Sequence, residues 1–337
     1  MANCTQICKL DISSSQSELL GLIDVLFSCA IVNIIAVLGI MGNVLNIAVL
    51  CHHDLNETTT ILLLAMSTTD MLFLLTSIPR RFVCVLSKFC TYAAKVLNAF
   101  ATAYLWMPNR YCGLVSSGLV TLIALERFVA VHFPLSVASM INRERMLLVI
   151  WLMCVFWATL SAPFFALYDI DWNQEADASP HIVLASFIEK DTNGYNTLNV
   201  SIAIIRGPVS VLVIVVCSMA IVARLYDATK KMAEGLSAQR STRDLRVLRM
   251  LLVVTSVYAV IGIPLSIPYI VYYVSPAISV KQDGTLTDFA ILMEIVNDLL
   301  YVLNASVNFV IYVTMSTKFY TTYIKLLSKF CSKFRSR

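Results

Sequence analysis

Glu126 and Arg127 stand side by side in TLIALERFVAVHFPL, residues 121–135, at the end of a long apolar stretch. A charged side chain at the middle of a bilayer costs about 2.5–3.5 kcal/mol on insertion scales, so such a residue reads first as functional. Opposite neighbouring charges also neutralise each other, and the same two residues read as a pair snorkelling from a helix end into the interface. Asp70 is a second case, a carboxyl inside the apolar stretch LLLAMSTTDMLFLL. A third is the set Glu294, Asp298 and Tyr301, which i, i+4, i+7 spacing places on one helix face. Arg110 and Arg206 are further cations inside apolar runs. Acidic groups with tyrosines nearby suit the cationic end of a ligand, such as an arginine in a short amidated peptide. An internal pair, Arg110 with Asp298, explains the same residues. No enzyme is expected. His52, His53, His132 and His181 lack metal-ligand spacing, and no nucleophile has a partnered base.

The elements that must position these residues are long apolar helices. Of 337 residues 58% are hydrophobic and 14% charged, and mean hydropathy is +0.78. The few charges sit in short patches between runs of about 20 residues or more, long enough to cross about 30 Å of hydrocarbon. Seven runs occur, at about 22–51, 58–79, 98–131, 146–167, 200–224, 245–274 and 288–314. Backbone groups in lipid must be satisfied within a segment, so the runs are helices. The expected fold is an all-α membrane protein, a seven-helix bundle over 22–314 between an extracellular N-terminus, 1–21, and a C-terminal segment, 315–337. With the N-terminus outside, sixteen of the 25 Lys and Arg fall on the inner side, as the positive-inside rule requires. Arg80, Arg81, Lys88 and Lys95 dissent. The start, MANCTQICKLDISSS, has no basic region followed by a short apolar core, so no cleaved signal peptide is expected. No nucleic-acid partner is expected.

Six of the seven runs carry a mark of their own. The first has Gly42-Asn43, the second Asp70, the third the Glu126-Arg127 pair with Val131 and Pro134-Leu135 after it. The fourth has Trp151 and Pro163, the fifth Pro208, and the seventh ends NASVNFVIY, Asn304 to Tyr312. In this order and spacing the chain resembles the rhodopsin-like, class A, G-protein-coupled receptors. STKFYTTYIKLL then resembles their short amphipathic eighth helix on the inner leaflet. The resemblance implies a receptor in the plasma membrane that binds an extracellular peptide or small molecule and activates a heterotrimeric G protein. It implies that Glu126 restrains Arg127 in the resting state, that Asp244 at the inner end of the sixth helix can do so too, and that Tyr312 belongs to the same switch. An ordinary solvated loop charge is the other reading of Asp244. The resemblance further implies a sodium pocket of Asp70, Ser116, Asn304 and Asn308. A carboxylate with three neutral oxygens suits a hard monovalent cation, while a protonated Asp70 hydrogen-bonded among the helices is the alternative. No other cofactor is expected.

Departures from the family pattern narrow the ligand. Gly262 and Tyr258 align where the sixth helix usually has its bulky aromatic switch, Phe309 replaces the seventh-helix proline, and Val216 stands where the fifth often has a tyrosine. Val302 replaces the retinal lysine of opsins, and Asn109 replaces the aspartate of monoamine receptors. Asn109, Arg110, Tyr269, Glu294, Asp298 and Tyr301 are the expected ligand-pocket residues. The chain looks most similar to invertebrate neuropeptide receptors of the FMRFamide type and is also similar to mollusc chemosensory receptors. A transporter or channel is the remoter alternative, against which no inverted repeat is visible. Thr102 occupies the usual third-helix cysteine position, so Cys4, Cys8, Cys84 and Cys90 are the candidates for outer disulfides. Cys331 is a palmitoylation site or a free thiol. Asn3 and Asn199 head outer glycosylation sequons.

Overall fold

The computed structural model describes residues 23, 25–52, 56–134, 136, 140–165, 168–171, 181–184, 192–233, 242–274 and 287–335. Helix α1 spans Val25–Leu50, α2 Thr58–Ser87, α3 Thr91–His132 and α4 Arg143–Phe164. A hairpin of β1, Tyr168–Asp171, and β2, His181–Leu184, follows. Then come α5 over 192–233, α6 Thr242–Val274, α7 Asp288–Met315 and α8 Thr317–Arg335. Helices α1 to α5 and α7 each contain a stretch long and apolar enough to cross a membrane, and in α6 the described apolar stretch is Arg249–Leu265. The seven expected runs are thus seven helices.

Boundaries moved where tertiary packing supports what local sequence discourages. The second helix does not stop at Pro79 but continues to Ser87. A proline removes one backbone donor, and in lipid other groups must compensate. The carbonyl that Pro79 leaves without its helical donor is that of Leu75, while the nearby side-chain bonds, Thr76 to Leu72 and Phe73, Ser77 to Leu74 and Asn109 of α3 to Phe73, fall on the carbonyls before it. Helix α3 starts at Thr91 rather than 98 and passes through a π-helical turn at Ala101–Leu105. Helix α7 breaks at Val307, one residue before Asn308, although no proline is present. The N-cap side chains of Asn142 and Thr287 accept from Arg145 N at 2.9 Å and Ala290 N at 3.2 Å, which starts α4 and α7 where capping rules place them. The hairpin, paired Tyr168↔Leu184 through Asp171↔His181, was not foreseen. It rests on α3 through an edge contact of Tyr168 with Trp106, ring centroids 5.8 Å apart.

Helix α3 is the axis of the bundle and packs on α2, α4, α5 and α6. Where helices approach most closely, glycine supplies the room. A Cβ on Gly39 of α1 would lie 2.7 Å from Ser306 Cβ and 2.8 Å from Leu74 Cδ1, and one on Gly42 2.8 Å from Phe309 Cβ. Between α3 and α4, a Cβ on Gly118 would fall 3.1 Å from Trp157 Nε1. Ile34, Leu38 and Met41 of α1, Leu148 and Trp151 of α4, and Leu212 and Met219 of α5 are exposed, the apolar exterior that a lipid solvent demands. Trp151 therefore faces outward, and the tryptophan buried in the α3–α4 contact is Trp157.

Candidate functional site

Near the C-terminal end of α3 the Glu126 carboxylate pairs with the Arg127 guanidinium through two donors, Nε and Nη2. The side chains are 4% and 18% exposed, so this is a buried pair rather than one snorkelling into water. The first turn of α2 completes it. Thr58 and Thr59 donate to Glu126 Oε1 at 3.0 and 3.3 Å, and Arg127 donates to Thr59 Oγ1. Sequence reasoning did not single out these threonines, although the run TTT after Glu57 was a visible sign of hydroxyls at a helix start. The side chain of Asp244 lies outside the described residues. Tyr312 is 1% exposed and packs on Phe319 of α8 with centroids 5.6 Å apart.

Halfway along the bundle Asp70 is 2% exposed and joined to two helices. Ser116 of α3 donates to Oδ1 at 2.6 Å, and Asn308 of α7 donates to Oδ2 at 2.8 Å. Helix α1 is tied in nearby, where Asn43 donates to Gly39 O at 3.0 Å and to Ala305 O of α7 at 2.9 Å. Asn304 lines the same cavity as Asp70 and Ser116. The four expected residues of the mid-bundle polar set are thus close together, and their carboxylate, hydroxyl and amide oxygens are the donor type that hard cations take.

Beside Asp70 lies a small, partly open cavity of about 40 Å³ lined by Phe73, Gly113, Ser117, Arg206, Gly207, Tyr258, Gly262, Leu265, Tyr301 and Asn304. Arg206 belongs to a π-helical turn of α5, Ile205–Val209. Its guanidinium carbon lies 4.5 Å from the centroid of the Tyr301 ring. Of the five expected pocket residues whose side chains are described, Tyr301 alone is on this wall. Asn109 faces α2, donating to Phe73 O at 2.7 Å and to Thr76 Oγ1 at 3.1 Å. Arg110 donates to Asn199 Oδ1 at 2.6 Å and stacks near Trp106 and Phe164. Glu294 is exposed, and Asp298 pairs with Arg81 of α2 at 3.4 Å. The side chain of Tyr269 lies outside the described residues.

These contacts correct several expectations. The internal pair is Arg81 with Asp298, not Arg110 with Asp298. A dissenting outer cation is thereby absorbed, for the Arg81 side chain is only 8% exposed. Lengthening α2 past Pro79 is what brings Arg81 to α7. Asn199 lies within α5, half-buried, with its amide oxygen accepting from Arg110, and Asn3 lies outside the described residues. Cys84 is bonded to Cys29 of α1, Cα atoms 5.8 Å apart. Cys29 reads from sequence as an apolar-run residue and was therefore not counted among the outer cysteines. Cys90 is the N-cap of α3. Cys4, Cys8 and the side chain of Cys331 lie outside the described residues.

Seven long helices, six of them apolar enough among the described residues to cross a membrane, with a Glu–Arg pair at the C-terminal end of α3 and a mid-bundle carboxyl, have the form of a heptahelical membrane protein. The model of the "7 transmembrane receptor (rhodopsin family)" matches residues 42–312, and the chain belongs to that family, whose members are receptors rather than enzymes. It is similar to an alpha-1A adrenergic receptor of Oryzias latipes, 20% identical over 251 residues, which cover 74% of this chain and 48% of that protein. The chain therefore spans about half the length of the curated relative it matches.

Proposed function

We propose that the chain is a plasma-membrane receptor that takes a small water-soluble extracellular ligand into the cavity between α3, α5, α6 and α7 and activates a heterotrimeric G protein. The observation that carries this reading is the placement of charge. Arg206 and Asp70 line the cavity, whereas the acids suited to a peptide's cationic end lie elsewhere, Asp298 on Arg81 and Glu294 exposed. A short neuropeptide engaging the outer mouth is the second reading, favoured by the 45% exposure of the Asp298 side chain. The adrenergic name of the relative does not carry over. Asn109 is neutral and committed to α2, so the cavity lacks the aspartate that monoamine receptors use. The chemosensory resemblance fits a small ligand better than the FMRFamide resemblance does.

The switch is the inner ion pair. Arg127 is restrained by Glu126, and Glu126 is held in turn by two threonines of α2. Separating the inner ends of the helices exchanges these contacts for contacts to a G protein, a two-state element that ligand and G protein both bias. Asp70, Ser116, Asn304 and Asn308 hold a sodium ion in the resting state. The test is guanine-nucleotide exchange on a purified G protein panel. Arg127→Ala, at parental surface density, is expected to lower exchange about tenfold or more; exchange equal to the parent's would defeat the reading, and ligand-gated current without exchange would favour a channel.

A further inference from the structure

We propose that Arg81 is the receiving site for a carboxylate on the ligand, and that Asp298 fills it as a resident stand-in until the ligand displaces it. This rests on the small-ligand receptor reading above and specifies the chemistry of one end of the ligand.

The two partners differ in their access to water. Nη2 of Arg81 on α2 lies 3.4 Å from Oδ1 of Asp298 on α7, and the side chains are 8% and 45% exposed. If the pair opens, the carboxylate hydrates where it stands. The guanidinium is left buried without a counter-charge, the strongly unfavourable result of removing one partner from a buried pair. Opening therefore requires a second anion to take the place of the first. A neutral or cationic ligand has nothing to give Arg81.

Asp298 is also a poor match for the site it fills. Its 3.4 Å contact is long beside the separation of about 2.7–2.9 Å usual for a charge-assisted hydrogen bond. Nε of Arg81 is buried and, among the described residues, has no acceptor. Arg80, exposed at the preceding position, adds a like charge. No Asp or Glu occurs between Asp70 and Glu126, so the rest of α2 and most of α3 offer no carboxylate of their own. A carboxylate not tethered to a helix backbone can meet Nε and Nη2 side-on, the two-point geometry to which arginine is suited.

The pair adjoins the cavity. Asp298 lies one helical turn from Tyr301, which lines the cavity and meets Phe73 of α2 with ring centroids 6.3 Å apart. Arg81 stands about 12 Å further along α2 than Phe73. One small ligand can therefore lie over the open side of the cavity beside Tyr301 and place its carboxylate at Arg81. Cys84, one turn after Arg81, is bonded to Cys29 of α1, so the cation belongs to two covalently joined helices and α7 is the partner that shifts. Exchange of Asp298 for the ligand's carboxylate releases α7 from α2, a contact with two discrete arrangements of the kind that switching proteins use.

The experiment uses the full chain in nanodiscs and begins with acetate as the probe. Asp298→Asn removes the stand-in. Its melting temperature is expected to fall by several degrees and to be restored by sodium acetate, but not by acetamide or by sodium chloride at the same ionic strength. The double variant Arg81→Gln with Asp298→Asn should show no such rescue. On the parent, a panel of small carboxylic acids, each beside its carboxamide, is read by thermal stabilisation and nucleotide exchange. At least one acid is expected to act about tenfold more strongly than its amide, and to bind Asp298→Asn about tenfold more tightly than the parent, where a resident anion competes. An unshifted melting temperature in Asp298→Asn, rescue by chloride or acetamide equal to that by acetate, or amides that match their acids on the parent each overturn the proposal. The parent panel needs no variant, so a misfolded Asp298→Asn cannot shelter the idea. If acids stabilise the chain as expected while Arg127→Ala leaves exchange unchanged, the carboxylate site stands and the receptor reading falls. If acetate and every acid are silent while a neutral or cationic ligand drives exchange that Arg127→Ala abolishes, the site falls and the receptor stands.

Discussion

Glu126 has three protein neighbours besides its own backbone, Arg127 and the hydroxyls of Thr58 and Thr59. A neutral amide at 126 would keep hydrogen-bonding capacity and remove the counter-charge from a guanidinium that is largely buried. Glu126→Gln is therefore expected to raise ligand-independent nucleotide exchange about two- to fivefold, a modest population shift, measured at equal surface density. Asp70 supplies a second prediction at this scale. If its oxygens, with those of Ser116, Asn304 and Asn308, take sodium, replacing sodium by a large organic cation should raise agonist affinity in the parent. Asp70→Asn should remove that sensitivity. Affinity indifferent to sodium in the parent would sink the sodium site while leaving the hydrogen-bonded geometry intact.

At the scale of elements, helix contacts made through glycine are the most exacting feature. Gly39 faces Ser306 and Leu74 so closely that an added methyl must move α1 away from α7 or α2. Overpacking of this kind costs about 1–3 kcal/mol, and Gly39→Ala is expected to lower the melting temperature of the detergent-solubilised receptor by several degrees. A change under one degree would show that the contact is soft. At the same scale α2 runs on past Pro79 to Ser87, and the extra turns carry Cys84 to Cys29 and Arg81 to Asp298. One helix extension thus creates both a covalent and an ionic tie at the C-terminal end of α2.

The whole molecule has a formal charge of +4 and most of its cations on one end. Pairing Arg81 with Asp298 explains how a buried cation is tolerated, but the Lys and Arg count is unchanged, so Arg80, Arg81, Lys88 and Lys95 still dissent from an extracellular N-terminus. An epitope placed before residue 20 should be stained on intact cells, and one placed after residue 330 only after permeabilisation. The reverse pattern would invert the receptor and remove its G-protein face from the cytosol.

Read alone, the chain determined the number of helices, their order, the buried status of Asp70 and the identity of the inner pair. These follow from one-dimensional signals, since runs of apolar residues must be helical in lipid and a lone charge inside a run must face the bundle. Asp70 with Ser116 and Asn308 was legible because helical periodicity and a family resemblance point to the same faces. Partners chosen across helices were decided by tertiary structure alone. Nothing local says that Asp298 meets Arg81 instead of Arg110, that Asn109 turns to α2, that Cys29 inside an apolar run meets Cys84, or that two threonines of α2 hold Glu126. Each depends on the rotation and length of two helices at once. Those quantities are set by side-chain packing between segments far apart in the chain, and it is packing that put Arg206 and Asp70 on one cavity.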